Sequence, residues 1–140
     1  MRTDSALNSI IAYCEKGSRK MPTETVMRHC WADMPSEQIT PFIGRRFITA
    51  DRVTVARFEL KANGVVPRHA HDQEQLTCVL SGRLKFLMNG HEMVVGPGEV
   101  LQIPSWAEHE VQVLEDAVVI DVFSPIRQDW IDKTDDYLKK

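Results

Sequence analysis

Residues 66–82 read VPRHAHDQEQLTCVLSG and carry the strongest indication of the fold. Two histidines, two glutamines and a glutamate fall within seven residues, and apolar sequence follows directly. Because residues two apart on a β-strand share a face, His69, His71 and Gln75 project the same way, and Leu76 and Leu80 project the other way. The polar side chains are therefore predicted at one end of an apolar interior face, where the two imidazoles could converge on one atom.

An isolated His-x-His pair lies more often in a solvated loop than in a binding site. A second stretch, GPGEVLQIPSWAEHEV at residues 96–111, has a glycine-rich turn, a short strand ended by Pro104, and a new strand opened by His109. A histidine in that place is by itself more often an ordinary core or rim residue than a ligand. The two stretches together are more informative than either one alone.

The rest of the chain predicts an all-β protein. From Val26 onward, short runs rich in Val, Ile, Leu, Phe and Thr recur about every eight to twelve residues, which is typical of an antiparallel sandwich or barrel. Asn89-Gly90 is the clearest hairpin signal, and Ser81-Gly82 predicts a second tight turn. The tail RQDWIDKTDDYLKK from Arg127 predicts a short C-terminal helix. We therefore expect a peripheral or flexible N-terminal segment over residues 1–25 and one barrel domain with a C-terminal helix over residues 26–140.

Composition narrows the classes of function. The 140 residues are 43% hydrophobic and 26% charged, with a formal net charge of -3, as in an ordinary single-domain protein. Scattered Lys and Arg give no reason to expect nucleic acid, and apolar runs are too short for a membrane helix. Three cysteines without CxxC spacing indicate reduced thiols rather than a disulfide framework. These features predict a cytoplasmic protein with no nucleic-acid or membrane partner.

The paired stretches resemble the motifs of the cupin superfamily, which are small RmlC-like jelly-roll barrels. The first cupin motif has a glycine, His-x-His, an acidic or amide ligand and a second glycine, and the second motif has a glycine, a proline and a histidine. The first is matched by Gly64, His69, His71, Gln75 and Gly82, with one residue fewer than usual before His69, and the second by Gly98, Pro104 and His109. Trp106 and Val113 replace the usual glycine and asparagine of the second motif. The resemblance covers roughly residues 43 to 126 and implies a double-stranded β-helix.

This resemblance implies a metal site formed by His69, His71, Gln75 and His109. Three neutral imidazoles and one amide oxygen suit one divalent transition metal, such as Zn, Ni, Fe, Mn or Co, and leave a position open for substrate. With Gln75 as the ligand, the first coordination shell is uncharged and the metal polarises a bound oxygen more strongly. Glu74 is the alternative ligand, since a bulge could reverse the faces of the strand.

The closing run DVFSPIRQDW, residues 121–130, resembles that of pectin-degradation cupins, which linearise unsaturated uronates. The resemblance implies that Asp121 is the acid or base, Arg127 a carboxylate clamp and Phe123 a contact to the sugar face. Thr77 stands where members of that group often have a second glutamine. From the residues alone, Asp121 could equally be a strand-end charge, and Arg127 could pair with Asp129 or Asp132.

Trp106 belongs to the predicted mouth of the barrel, either as a sugar-stacking platform or as a hydrophobic lid. With Thr77 and Phe123, it completes the predicted substrate pocket.

The leading hypothesis is a metal-dependent enzyme that acts on a carboxylated sugar or a keto/enol compound, by isomerisation or ring opening with proton transfer through Asp121. The alternatives are a metal-dependent dioxygenase and a non-catalytic metal-bearing module that binds a sugar or an effector. We also expect a homodimer, because the β-like segments from Val26 to Ile48 exceed what one small barrel needs.

Overall fold

The computed structural model describes residues 26–139. The chain divides into two compact units between Asp33 and Met34. Within the first unit, the described residues 26–30 have no regular structure, and Trp31–Asp33 forms a 3-10 turn. The β-like run at residues 26–31 is therefore not a strand. The predicted N-terminal segment, residues 1–25, lies outside the described residues.

Eight strands make up the second unit, and the predicted all-β jelly-roll barrel with a short C-terminal helix is confirmed. The strands are β1 Glu37–Thr40, β2 Ile43–Thr49, β3 Thr54–Leu60, β4 Val65–His69, β5 Glu74–Met88, β6 His91–Val95, β7 Val100–Ile103 and β8 His109–Ser124. They pair in antiparallel fashion in the order β1-β2-β3-β8-β5-β6, while β4 also pairs with β8 and β7 with β5. The two long strands, β5 and β8, therefore connect the rest of the sheet.

Alternation along β8 places the core. Every second side chain is buried over His109–Val113 and again over Ala117–Phe123, and the residues between them are exposed. The buried row begins with the polar His109 and has Asp121 near its other end, with apolar side chains between them. On β5 the buried row likewise begins with the polar Gln75 and Thr77. Polar groups thus enter an apolar interior at the strand ends, as the sequence predicts.

The predicted tight turn at Ser81-Gly82 is wrong, because β5 continues through it as a β-bulge. The register against β8 shifts between Val79 and Leu84, and the buried positions change from odd to even numbers across the shift. Gly82 has a φ of 81°, and a Cβ there would collide with the backbone of Asp116 and Ala117 on β8. The glycine thus allows a bulge where two strands pack closely, rather than a chain reversal.

The predicted hairpin at Asn89-Gly90 is confirmed. Asn89 and Gly90 have positive φ angles of 50° and 76° between β5 and β6, as the two central positions of a type I′ turn require. This turn sets the pairing of Met88 with His91.

The C-terminal helix α1, Gln128–Ile131, is shorter than the helix-like tail suggests. Lys133 adopts a φ of 58°, and its N–H donates to the carbonyl of Trp130 while the N–H of Thr134 donates to that of Asp129. This pair of hydrogen bonds is the Schellman motif, which ends a helix. The chain continues to a 3-10 turn, Asp136–Lys139. Within residues 26–139, no helix is long and apolar enough to cross a membrane; the cytoplasmic location stays a prediction.

Candidate functional site

Three histidines lie close together where β4 ends and β8 begins. His69 is the last residue of β4 and pairs directly with His109, the first residue of β8. His71 lies two residues past the end of β4, in the loop that leads to β5. Their ring nitrogens lie within 4.8 Å of one another, so one metal ion could contact all three. The sequence prediction that these imidazoles converge is therefore consistent with the fold, although His71 is on a loop.

Backbone carbonyls fix the tautomer of each ring. The Nδ1 atoms of His69, His71 and His109 lie 2.7, 3.0 and 2.8 Å from the carbonyl oxygens of Pro67, Gln73 and Ala107, respectively. A carbonyl can only accept, so each Nδ1 carries the hydrogen, and each neutral ring has a lone pair on Nε2. The same second-shell arrangement orients the histidine ligands of metal sites.

Burial keeps the three rings neutral. Desolvation, aided by the neighbouring His109, lowers the pKa of His69 to about 3. Desolvation and the charge of Arg127 lower the pKa of His71 to about 4, and desolvation also lowers the pKa of His109. Near neutral pH all three imidazoles are therefore in the form that binds a metal.

Gln75 is the residue of the predicted ligand pair that faces the histidines. It is 6% exposed, and its Oε1 lies 3.1 Å from Nε2 of His71. Its Nε2 donates to Oγ1 of Thr77 at 2.9 Å, which orients the amide oxygen toward the ring. Glu74 is exposed on the opposite face of β5, as expected for a regular strand.

These donors fit a divalent transition ion. Nε2 of His71 and Oε1 of Gln75 both present lone pairs, and two acceptors 3.1 Å apart repel each other unless a cation lies between them. Nitrogen and amide-oxygen donors without a carboxylate suit ions such as Zn, Ni, Co, Fe or Mn. His69, His71 and His109 thus form a cluster that could hold a transition metal.

A cavity of about 50 Å³ opens beside this cluster. Its lining includes His69, Gln75, His109 and Asp121, with apolar side chains behind them. The Asp121 carboxyl is buried, and among the described residues its Oδ1 has no hydrogen-bond partner. Desolvation raises the pKa of Asp121 to about 6, while Thr77, Gln75 and Arg127 oppose the shift. A buried carboxyl that has one free oxygen among the described residues and a pKa near 6 is suited to proton transfer.

Arg127 also lines the cavity and is 1% exposed. Its backbone N–H donates to Oγ1 of Thr54 at 3.0 Å, and its Nε and Nη2 donate to the Asp129 carboxylate at 3.0 and 2.8 Å. The guanidinium lies 4.7 Å from the ring centre of Phe123 and 4.3 Å from that of Trp130. Arg127 therefore pairs with Asp129, one of the two partners considered from the sequence, and still borders the cavity.

Two of the three predicted substrate contacts lie at the cavity. Thr77 and Phe123 line it, and the Phe123 ring packs edge-on against His71 at 5.7 Å between centres. Trp106 does not line it among the described residues; it is 64% exposed, with a φ of 62°. Its backbone N–H donates to the carbonyl of His71 at 2.8 Å, so the Trp106 loop braces the histidine loop.

Tyr137 and Arg45 also lie near the site, although neither is among the residues predicted from the sequence. The Tyr137 ring stacks on His69 with 4.4 Å between centres, and its hydroxyl accepts from Nη2 of Arg127 at 2.6 Å. Arg45, 3% exposed on β2, donates to Asp135 at 2.7 Å and lies 4.3 Å from the Trp130 ring centre. No local pattern marks either residue, because each partner is distant in sequence.

The comparisons with known proteins agree with this geometry. Residues 56–123 match the family model described as the cupin domain. The chain carries a cupin domain. The match includes the three histidines, Gln75 and Asp121, whereas Arg127 and Tyr137 lie beyond it. The predicted resemblance to the cupin superfamily is confirmed over these residues.

Solved structures share the cupin fold. KdgF from Halomonas sp. is similar with a TM-score of 0.68 and 24% identity, covering 72% of this chain and 96% of that chain. An RmlC-like cupin from Shewanella frigidimarina has a TM-score of 0.70 and 20% identity, covering 76% and 96%. The polyketide cyclase RemF from Streptomyces resistomycificus has a TM-score of 0.63 and 26% identity, covering 72% and 80%. No curated protein sequence matches the chain significantly.

Proposed function

We propose that this cupin is a metal-dependent enzyme that isomerises or opens the ring of a small carboxylated sugar, with unsaturated uronates as the leading substrate class. One observation carries the proposal: Asp121, whose buried Oδ1 has no hydrogen-bond partner within residues 26–139, lines the same cavity as His69, Gln75 and His109. The likeness of residues 121–130 to pectin-degradation cupins supports the choice of substrate class.

His69, His71, Gln75 and His109 would hold the metal. When bound, a divalent ion would act as a Lewis acid toward a substrate oxygen. The hydrogen bonds from Nδ1 to backbone carbonyls keep the three rings oriented and neutral for this task.

Asp121 would move the proton. As a carboxylate it accepts the proton of the substrate's hemiacetal hydroxyl while the ring C–O bond breaks, and it then returns that proton to the opened product. No atom is gained or lost, so the reaction needs neither an oxidant nor a second acid. A carboxyl whose pKa lies near 6 can make both transfers at neutral pH.

The remaining residues bind the substrate. Arg127 would hold its carboxylate, the Phe123 ring would pack against the sugar face, and Thr77 would keep the Gln75 amide in place. Trp106 is proposed as part of the outer rim rather than of the cavity wall, in keeping with its exposure.

The first test is metal content, measured by elemental mass spectrometry on the wild type, His71→Ala and the matched control His91→Ala. His91 is an exposed histidine at the start of β6 and is not in the three-histidine cluster. One divalent ion per chain in the wild type and in the control, with loss in His71→Ala, is expected. Equal metal content in all three proteins would contradict the site.

The second test is turnover of 4,5-unsaturated galacturonate, followed by loss of the ultraviolet absorbance of its conjugated double bond. Turnover that disappears with a chelator and returns with metal is expected. Oxygen uptake instead of isomerisation would favour the dioxygenase. Metal binding with no turnover would favour the sugar- or effector-binding module.

We also propose that the protein is a homodimer, with the outer face of β5 and β7 in the interface. Leu76, Leu80 and Val100 are 39%, 56% and 59% exposed on adjoining strands. Exposed apolar side chains grouped on one face are typical of a protein interface. Sedimentation equilibrium should give twice the chain mass at micromolar concentration, and Leu80→Asp should give the monomer.

A further inference from the structure

Arg127 has hydrogens in excess of those that Asp129 uses. A guanidinium has five N–H groups, and the Asp129 carboxylate takes one from Nε and one from Nη2. The second hydrogen of Nη2 points to Tyr137, whose Oη accepts it at 2.6 Å. Both hydrogens of Nη2 are therefore in use, and Nη1 has no hydrogen bond within residues 26–139.

The two partners occupy different edges of the guanidinium. Nε and Nη2 form the side edge, which Asp129 fills in the two-point manner typical of arginine and carboxylate. Nη1 and Nη2 form the end edge, which is the remaining place where a carboxylate can bind with two hydrogen bonds. Tyr137 Oη stands at one of the two oxygen positions of that edge.

Tyr137 also closes the cavity on this side. Its ring stacks on His69, and Tyr137 and Leu138 both line the space of about 50 Å³. Pockets for small ligands usually measure about 300–1,000 Å³. A sugar acid thus requires more room than this arrangement leaves, and Tyr137 lines the space beside Arg127.

A side-chain ion pair holds this segment in place. Nη1 of Arg45 on β2 lies 2.7 Å from Oδ2 of Asp135, two residues before Tyr137. The backbone contact near Tyr137 is weaker, since the N–H of Leu138 lies 3.5 Å from the carbonyl of Asp135. Tyr137 can therefore leave Arg127 without breaking any pairing between strands.

We propose that Tyr137 determines specificity by occupying the end edge of Arg127 until a ligand carboxylate displaces it. This inference rests on the proposed role of Arg127 in binding the substrate carboxylate. A carboxylate gains two charge-assisted hydrogen bonds at that edge, whereas the neutral phenol has one, so an acid can displace Tyr137. A neutral sugar forms no such pair. Tyr137 thus selects acids over neutral sugars and acts as a positioning residue through Arg127.

The test compares D-galacturonate with D-galactose by isothermal titration calorimetry on the full chain in zinc-containing buffer. Tyr137→Phe keeps the ring and removes the hydroxyl, and Ile131→Ala is the matched control, since Ile131 is exposed on α1. Tyr137→Phe should lower the dissociation constant for galacturonate roughly tenfold, because the competing hydrogen bond to a charged group is lost. The value for galactose, and both values in Ile131→Ala, should stay unchanged.

Three outcomes would overturn the inference. Weaker galacturonate binding in Tyr137→Phe would mean that the hydroxyl contacts the ligand. Equal changes for galacturonate and galactose would mean that the variant alters packing rather than carboxylate recognition. No galacturonate binding to either protein would mean that the end edge of Arg127 is not a carboxylate site.

These results separate the inference from the proposed function. Tighter galacturonate binding in Tyr137→Phe without turnover of unsaturated uronates would support the inference and contradict the enzyme. Turnover in the wild type with weaker binding in the variant would support the enzyme and overturn the inference.

Discussion

The cavity has two sides that are held by different kinds of contact. The strand side, formed by β4, β5 and β8, is positioned by the pairing of His69 with His109 and of Thr77 with Asp121. The C-terminal side, residues 127–138, is held mainly by side chains: Trp130 packs against aromatic rings of the barrel, and Asp135 pairs with Arg45 of β2.

Because the two sides are held differently, we expect the strand side to serve metal binding and proton transfer and the C-terminal side to control ligand access. Hydrogen bonds of a sheet break together, because each one depends on the register of its neighbours. Ion pairs between side chains break one at a time. Substitutions on the strand side should therefore change metal binding and turnover, and those on the C-terminal side should change stability and ligand access.

The largest effect is expected from Asp121→Asn on the strand side. The amide cannot accept and return a proton, so turnover of the unsaturated uronate should fall by about 10²–10⁴-fold. Metal content serves as the control and should match the wild type. Turnover that persists in this variant would mean that another group carries the proton.

A pair of threonine variants compares the two sides directly. Thr77→Val removes the acceptor of the Gln75 amide and should weaken zinc binding by about 10–100-fold, as substitutions of second-shell partners do. Thr54→Val instead removes the acceptor of the Arg127 backbone N–H and should leave zinc affinity unchanged. Competition with a chromophoric chelator gives both constants. Equal weakening in the two variants would remove the distinction between the sides.

Asp135→Asn tests how the C-terminal side is held. Arg45 would lose its partner at 2.7 Å, whose side chain is 12% exposed, and the free energy of unfolding should fall by about 1–3 kcal/mol in urea titrations. Glu37→Gln is the matched control, because Glu37 is the other partner of Arg45 and its side chain is 47% exposed. That control should lose less than about 1 kcal/mol. If Glu37→Gln lost more stability than Asp135→Asn, Glu37 rather than Asp135 would be the partner through which Arg45 stabilises the fold.

The smallest effect concerns pH in the metal-free protein. Since burial lowers the pKa values of the three histidines, the unfolded chain binds more protons than the native one below about pH 6.5, and stability is lost as pH falls. Between pH 7 and 6 the loss should be about 0.7 kcal/mol for each histidine. Urea titrations with a chelator present measure it.

Asp121 acts in the opposite direction in the same experiment. Its raised pKa means that the native state binds more protons than the unfolded one between about pH 6 and 3.8, so acidification through that window adds stability. Asp121→Asn should therefore lose stability more steeply than the wild type on acidification. An equal slope would mean that Asp121 is not buried as described.

Local patterns predicted most of the strand side. Alternation of polar and apolar residues identified the faces of β5 and β8, and Asn89-Gly90 identified a hairpin, because both signals depend on neighbouring residues. Period two also placed Gln75 rather than Glu74 toward the histidines.

Features that depend on distant contacts were not predictable in this way. Ser81-Gly82 has the composition of a turn, yet β8 packs so closely that the strand continues as a bulge. The end of α1 is a local feature that was missed for another reason: the Schellman motif at Lys133 stops the helix after four residues, and no glycine stands there to indicate it. Tyr137 meets His69 across 68 residues, and no signal near either residue indicates that contact.

The fluorescence of Trp130 depends on the positions of two buried arginines. The indole is 3% exposed and lies 4.3 Å from the guanidinium of Arg45 and 4.3 Å from that of Arg127. Because an excited indole has a larger dipole than the ground state, nearby charges shift the colour of its fluorescence. A rearrangement of either arginine should therefore shift the emission of Trp130, on top of the emission of Trp31 and Trp106, without a label and without knowledge of the natural ligand.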